Sequence, residues 1–222
     1  MHDGALDSLW HTRWLTQFSH LAPVGQPEWI EQGFSDLVDR YAEPHRRYHN
    51  LAHIQACLTT FDEVLQSHIE LAEAERFQLE TTFWFHDVVY DPKANDNEAQ
   101  SAERAADFLL PLDLDPSQVE EIKRLIRLTK HPATPVAEGE KLLLDIDLQI
   151  LGASPPDYLD YQNQIRAEYG HVPDQAYQRG RAQVLLAFLD QPQIFHSQIF
   201  YESREAQARE NILREIDQLS SS

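Results

Sequence analysis

Apolar residues recur at three- and four-residue intervals along almost the whole chain. No stretch alternates in the two-residue rhythm of a half-buried strand. The pattern predicts helices over about residues 5–20, 27–42, 50–68, 71–90, 97–110, 116–130, 139–151, 155–170, 174–190 and 202–219. Asp115-Pro116 and Ser154-Pro155 each set a capping side chain ahead of a proline in a first helical turn. Pro92, Pro111, Pro132, Pro135 and Pro192 fall between the helices, where a missing N–H does no harm. No stretch reads as a linker or an internal repeat, and the only low-complexity run is Ser220-Ser221-Ser222. The expectation is one all-α domain over residues 1–222, a bundle of about ten helices packed on one another.

Composition narrows the class. The chain has 222 residues, 42% of them apolar and 10% aromatic, enough for a buried core and too many for a disordered chain. The 18 basic and 37 acidic residues give a formal charge of −19. Nucleic-acid polymers and anionic membranes both call for a basic surface, so neither is an expected partner. A small anion held by a metal ion in a local pocket stays open. Cys57 is the single cysteine, which rules out an intramolecular disulfide. The opening MHDGALDSLWHTRW lacks the basic start and apolar core of a signal peptide, and runs such as Val184–Leu189 are far too short to span a bilayer. A cytoplasmic protein is expected.

Of the 11 histidines, His2, His11, His20, His45, His68, His171 and His196 stand among polar or loop-like residues and read as surface groups. His86-Asp87 is different. It ends the run Thr82-Phe83-Trp84-Phe85, and burying an imidazole and a carboxylate there is costly without compensation. A hydrogen-bonded His–Asp pair would supply it, and so would a metal ion. Two further segments share the anomaly. In Tyr48-His49-Asn50-Leu51-Ala52-His53 two histidines stand four apart, on one face of a helix. In Leu142-Leu143-Leu144-Asp145-Ile146-Asp147-Leu148 two carboxylates interrupt an apolar helix. Two His and two Asp could together supply a nitrogen-and-oxygen site for a divalent transition metal.

The order His53, His86-Asp87, Asp147 resembles the H…HD…D signature of the HD superfamily of metal-dependent phosphohydrolases. The likeness extends to the flanks: Arg47-Tyr48-His49-Asn50-Leu51-Ala52-His53, Phe85-His86-Asp87-Val88-Val89-Tyr90-Asp91, Asn97-Glu98-Ala99-Gln100-Ser101-Ala102, Asp145-Ile146-Asp147-Leu148-Gln149-Ile150-Leu151-Gly152 and Ala208-Arg209-Glu210-Asn211. Together they look like a bacterial branch of predicted HD phosphohydrolases, over about residues 10–219. The resemblance implies a metal-site core over about 45–152 with C-terminal helices over about 155–219 packed on it. It implies His53, His86, Asp87 and Asp147 as metal ligands, with His131 at the position of a second-site ligand. His53 is preferred to His49 because the family's first histidine precedes the HD pair by a spacing close to the 33 residues between His53 and His86. Asp145 is then a helix-surface or supporting carboxylate.

The implied activity is hydrolysis of a small phosphate ester or anhydride, with a nucleotide as substrate class. Mn, Co, Ni, Fe, Zn or Mg would serve as the divalent ion, which makes water a nucleophile near neutral pH. Asp87 and Glu98 are the candidate catalytic residues, Asp87 holding the water and Glu98 taking its proton. His49, Asn97, Arg127, Lys130, Arg166 and Arg181 are candidate substrate-binding groups. Asn97 stands where enzymes of this superfamily with two metals carry a histidine, so one tightly held ion is expected. Two other readings differ in class. A non-catalytic HD fold could sense or scaffold by holding metal and nucleotide. A zinc peptidase would use His49 and His53, but the HExxH motif needs a glutamate where Asn50 stands.

Overall fold

Short polar side chains and proline fix where several helices begin. Asp115 accepts hydrogen bonds from the Ser117 backbone N–H at 2.8 Å and the Ser117 hydroxyl at 2.7 Å, ahead of Pro116. Ser154 caps the helix that opens with Pro155, its hydroxyl accepting from the Asp157 N–H. In the computed structural model, which describes residues 4–67 and 69–221, these signals open the sixth and eighth of ten α-helices. The helices are α1 (Gly4–Phe18), α2 (Glu28–Tyr41), α3 (Leu51–Gln66), α4 (Glu73–Phe85), α5 (Asn97–Leu109), α6 (Pro116–Leu128), α7 (Glu138–Asp147), α8 (Pro155–Glu168), α9 (Asp174–Leu189) and α10 (Gln198–Ser221). Tighter 3₁₀ turns follow α1, over Ser19–Leu21, and α7, over Leu148–Gly152. No strand occurs among the described residues, so the fold is all-α. No helix among them is long and apolar enough to cross a membrane. His2 and His68, expected as surface residues, lie outside the described residues.

The chain forms two compact units, the first running to Arg127 and the second starting at Leu128. That boundary falls inside the stretch 45–152 expected to form a metal-site core. In the first unit, aromatic rings fill the interior. Trp14 is fully buried, edge-on to Trp84 at 5.6 Å and tilted against Phe108 at 4.9 Å between ring centroids. Two of the buried indole N–H groups find acceptors, while that of Trp10 has none. Trp14 donates to the Ile30 carbonyl and Trp84 to the Gln17 amide oxygen, both at 2.9 Å. Gln17 in turn donates to Thr81 at 2.8 Å, which ties α1 to α4 through a buried polar chain.

In the second unit, α10 holds two connections through its own side chains, the one before it and the turn after α7. Arg209 donates to the carbonyls of Leu189, Gln191 and Pro192, closing the end of α9. Asn211 donates to the carbonyls of Leu151 and Ala153 at 2.9 Å each, closing the turn after α7. Buried Glu205 accepts from the N–H groups of Ile194 and Phe195. Gly152 permits this packing, because a Cβ there would meet Arg204 Cβ at 2.6 Å and its carbonyl at 2.8 Å.

Asp145 corrects the sequence reading. It was expected on a helix surface or in support of the metal site, but it is fully buried. Its carboxylate accepts from the His196 N–H at 2.7 Å, the Ser197 N–H at 2.7 Å and the Ser197 hydroxyl at 2.6 Å. It therefore caps α10 from another helix, and α10 starts at Gln198 and not near 202 as the local pattern suggested. Replacing Asp145 by Ala strands two amides and a hydroxyl, which should lower unfolding free energy by about 2–4 kcal/mol. Denaturant titration followed by circular dichroism measures this; an unchanged midpoint would mean that the clamp carries no stability.

Candidate metal centre

Local chemistry decides which of the paired histidines enters α3. Asn50 is extended (φ −126°, ψ −177°) and caps the helix, its side-chain oxygen accepting from the Ala52 N–H at 2.8 Å. Its amide nitrogen donates to the Arg47 carbonyl at 2.6 Å. The helix thus begins after His49, and the expectation that His49 and His53 share a helical face fails. A cap residue breaks the four-residue geometry between them. His53 sits buried in the first turn. His49 lies outside the helix, stacked on Tyr90 with ring centroids 4.2 Å apart.

The other half of the cluster comes from the end of α4. Leu79, Phe83, Trp84 and Phe85 are all buried, together with Thr81 and Thr82, so this helix is enclosed over most of its circumference. It stops at Phe85, not near residue 90, and leaves His86 and Asp87 in the turn beyond. His86 Nδ1 lies 3.1 Å from the Phe83 carbonyl. A carbonyl only accepts, so Nδ1 carries the proton and Nε2 keeps its lone pair.

That lone pair faces two others. His86 Nε2 is 3.2 Å from His53 Nε2 and 3.2 Å from Asp87 Oδ2, and His53 Nε2 is 3.6 Å from Asp87 Oδ2. A triangle with those sides has a circumradius of about 1.9 Å, so all three atoms could reach one divalent ion at the 2.0–2.2 Å usual for metal bonds to His and Asp. His53, His86 and Asp87 therefore form a group able to hold a metal ion. Burial pushes the Asp87 carboxyl up, but His86, His49 and His53 around it outweigh that and hold it below the usual carboxylate range.

The second unit contains Asp147, Lys130 and His131. His131 Nε2 is 3.5 Å from Asp147 Oδ2 and is buried without a hydrogen-bond partner. An orphaned nitrogen beside a carboxylate is a donor set that a cation or a substrate proton would satisfy. The remaining candidates are placed as follows. Lys130 is exposed. Arg127, exposed at the end of α6, pairs with Glu103. Arg166 binds the carbonyls of Tyr169 and Val172 and the carboxylate of Asp174. Arg181 is buried against Glu215 at 2.7 Å, with the Tyr158 hydroxyl donating to the same carboxylate. Asn97 uses both ends of its amide on Asp91, accepting from its N–H at 3.0 Å and donating to its carbonyl at 2.9 Å. Glu98 is half-buried in the first turn of α5.

One residue of this region escaped the sequence reading. Arg46 is buried, and its guanidinium binds backbone on both sides of the cluster. A cation in a polar loop gives no signal of burial, and only the neighbouring Tyr41 and Tyr90, which its guanidinium overlies, could have hinted at one.

No protein-family model, no curated protein and no solved structure matches this chain.

Replacing His53, His86 or Asp87 by Ala should abolish uptake of Co²⁺ or Zn²⁺ by the isolated protein, while His49→Ala keeps it within about threefold. Equilibrium dialysis with metal analysis reads this out; loss on His49→Ala with retention on His53→Ala would show that the wrong imidazole has been assigned. Ligating imidazoles must be unprotonated, so protons compete with the metal, and affinity should fall as the pH is lowered. If helix content is lost at the same pH as the metal, the ion holds the fold together instead of serving an open site.

Proposed function

We propose that the protein is a metal-dependent phosphohydrolase acting on a small phosphate ester or anhydride, with a nucleotide as the substrate class. The observation that carries the reading is the convergence of His53 Nε2, His86 Nε2 and Asp87 Oδ2, three acceptor atoms within 3.6 Å of one another. The ordered motif in the sequence selects the chemistry, because a His/His/Asp group alone is common to many metal sites. Its fourth ligand, Asp147, is assigned from that motif and is tested by the Asp147→Ala variant in the same uptake experiment.

A divalent ion bound there supplies an activated water and neutralises charge on the phosphoryl oxygens. The chain's own groups do the rest. His86 is held in one tautomer by the Phe83 carbonyl, so its Nε2 is always presented as a ligand. Asp87, ionised at neutral pH, has a second carboxylate oxygen that can accept from an attacking water and orient it. Glu98, at the start of α5, is the proposed proton acceptor. The stacked rings of His49 and Tyr90 form an aromatic wall beside His53, suited to exclude water and to lie against a planar base. Arg127, Arg166 and Arg181 are all held in ion pairs within the protein, so the ion itself is the favoured partner for phosphate.

Purified protein loaded with Mn²⁺, Co²⁺ or Mg²⁺ and offered a panel of nucleotides and simple phosphate esters should release phosphate. Asp87→Ala should reduce turnover at least about a thousandfold, in line with loss of a metal and its water, and Glu98→Gln about a hundredfold, the typical share of a general base. Tight nucleotide binding with no turnover on any substrate would replace this reading with that of a sensor.

A further inference from the structure

We infer that Arg46 is a positioning residue for the candidate metal centre: its guanidinium fixes the backbone at His49 and at Asp87–Val88, and so sets the approach of His53 to His86 and Asp87. The inference rests on the metal reading above.

The side chain is fully enclosed. Its Nη1 donates to the His49 carbonyl at 2.9 Å and the Asp87 carbonyl at 2.7 Å, and its Nη2 donates to the Val88 carbonyl at 3.1 Å. Its Nε donates to the carboxylate of half-buried Glu43 at 3.1 Å. The guanidinium carbon lies over the rings of Tyr41 and Tyr90, at 5.1 and 5.6 Å. Tyr41 is itself anchored to α4, its hydroxyl donating to the Trp84 carbonyl at 3.0 Å.

Two facts make this more than a loop staple. First, the acceptors belong to chain segments that enter the cluster from opposite sides: His49 precedes the cap of α3, whereas Asp87 and Val88 follow α4. One rigid, planar group thereby sets the separation of the two segments, which sequence puts more than thirty residues apart. Second, a buried guanidinium facing mainly neutral carbonyls gives little net stability, because desolvation offsets most of what those bonds gain. A lysine could not replace it, since its three donors radiate from one atom and cannot span three carbonyls in a fixed fork.

The test separates positioning from general stability. Arg46→Lys is compared with wild type and with Arg13→Lys. Arg13 pairs with Asp62 on α3 and Glu80 on α4, roughly 9–14 Å along those helices from the histidines. It therefore joins the same two helices away from the cluster. Three readouts are taken: helix content of the metal-free protein, Co²⁺ affinity, and the visible absorption of bound Co²⁺, which reports ligand geometry. Arg46→Lys should keep its helix content, lose Co²⁺ affinity 10- to 100-fold, the range for residues that orient ligands, and change the Co²⁺ spectrum. Arg13→Lys should lower the thermal midpoint while leaving Co²⁺ affinity within threefold and its spectrum unchanged. Wild-type affinity and spectrum in Arg46→Lys would overturn the inference and leave the metal reading standing. So would collapse of the metal-free Arg46→Lys fold, which would make Arg46 a structural residue. Absence of Co²⁺ uptake by the wild type would overturn the metal reading and this inference with it.

Discussion

A carboxylate and two imidazoles cannot sit behind a wall of tryptophan and phenylalanine without compensation, and much of the first unit follows from how they receive it. His86 has already committed its Nδ1 proton to the Phe83 carbonyl. To bond Asp87 through Nε2 it would need a second proton, and that proton could not also satisfy His53 Nε2, 3.2 Å away. One divalent cation, by contrast, would compensate all three groups at once. Desolvation favours the arrangement that leaves no buried lone pair unmet. A metal ion and a hydrogen-bonded His–Asp pair are the two forms of compensation that the sequence leaves open, and this geometry has room for either.

Three buried acids act within the second unit, and two half-buried ones lie beside histidines. Asp145, Glu205 and Glu215 each meet donors that the protein itself supplies: backbone amides and a hydroxyl for Asp145, two amides and Arg209 for Glu205, Arg181 and Tyr158 for Glu215. They clamp elements of the second unit to one another. The half-buried carboxylates of Asp87 and Asp147 have imidazole nitrogens among their neighbours, at 3.2 and 3.5 Å. In an Asp-Ile-Asp segment the two acids one residue apart thus have different partners, because α7 carries Asp145 towards the start of α10 and ends at Asp147.

Helical class was legible because periodicity and capping are local. The Asp115 and Ser154 caps, and the starts of α5, α6, α8 and α9, fall where short-range chemistry puts them. What escaped reading depends on partners distant in sequence. The cap of α10 comes from Asp145, more than fifty residues away. Arg46, Arg181 and Asn97 look like solvated polar residues until their acceptors are known. His86 and Asp87 were readable for an energetic reason, because a charge in an apolar run is expensive wherever it folds, whereas His53 was told from His49 only by the resemblance.

Asn50 shows how far one residue separates two chemistries with the same histidine spacing. In a zinc peptidase both histidines of HExxH must lie on one helix, with the intervening glutamate serving as base. A residue able to cap a helix, placed directly after the first histidine, ends the helix there, because its side chain takes the amide that a further turn would use. His49 is then released from α3 to stack on Tyr90, and His53 is left in the first turn to meet a partner from α4. The second histidine and the carboxylate must consequently come from elsewhere in the chain. The turn after Phe85 delivers both at adjacent positions, so a single peptide carries one nitrogen and one oxygen ligand to the same point.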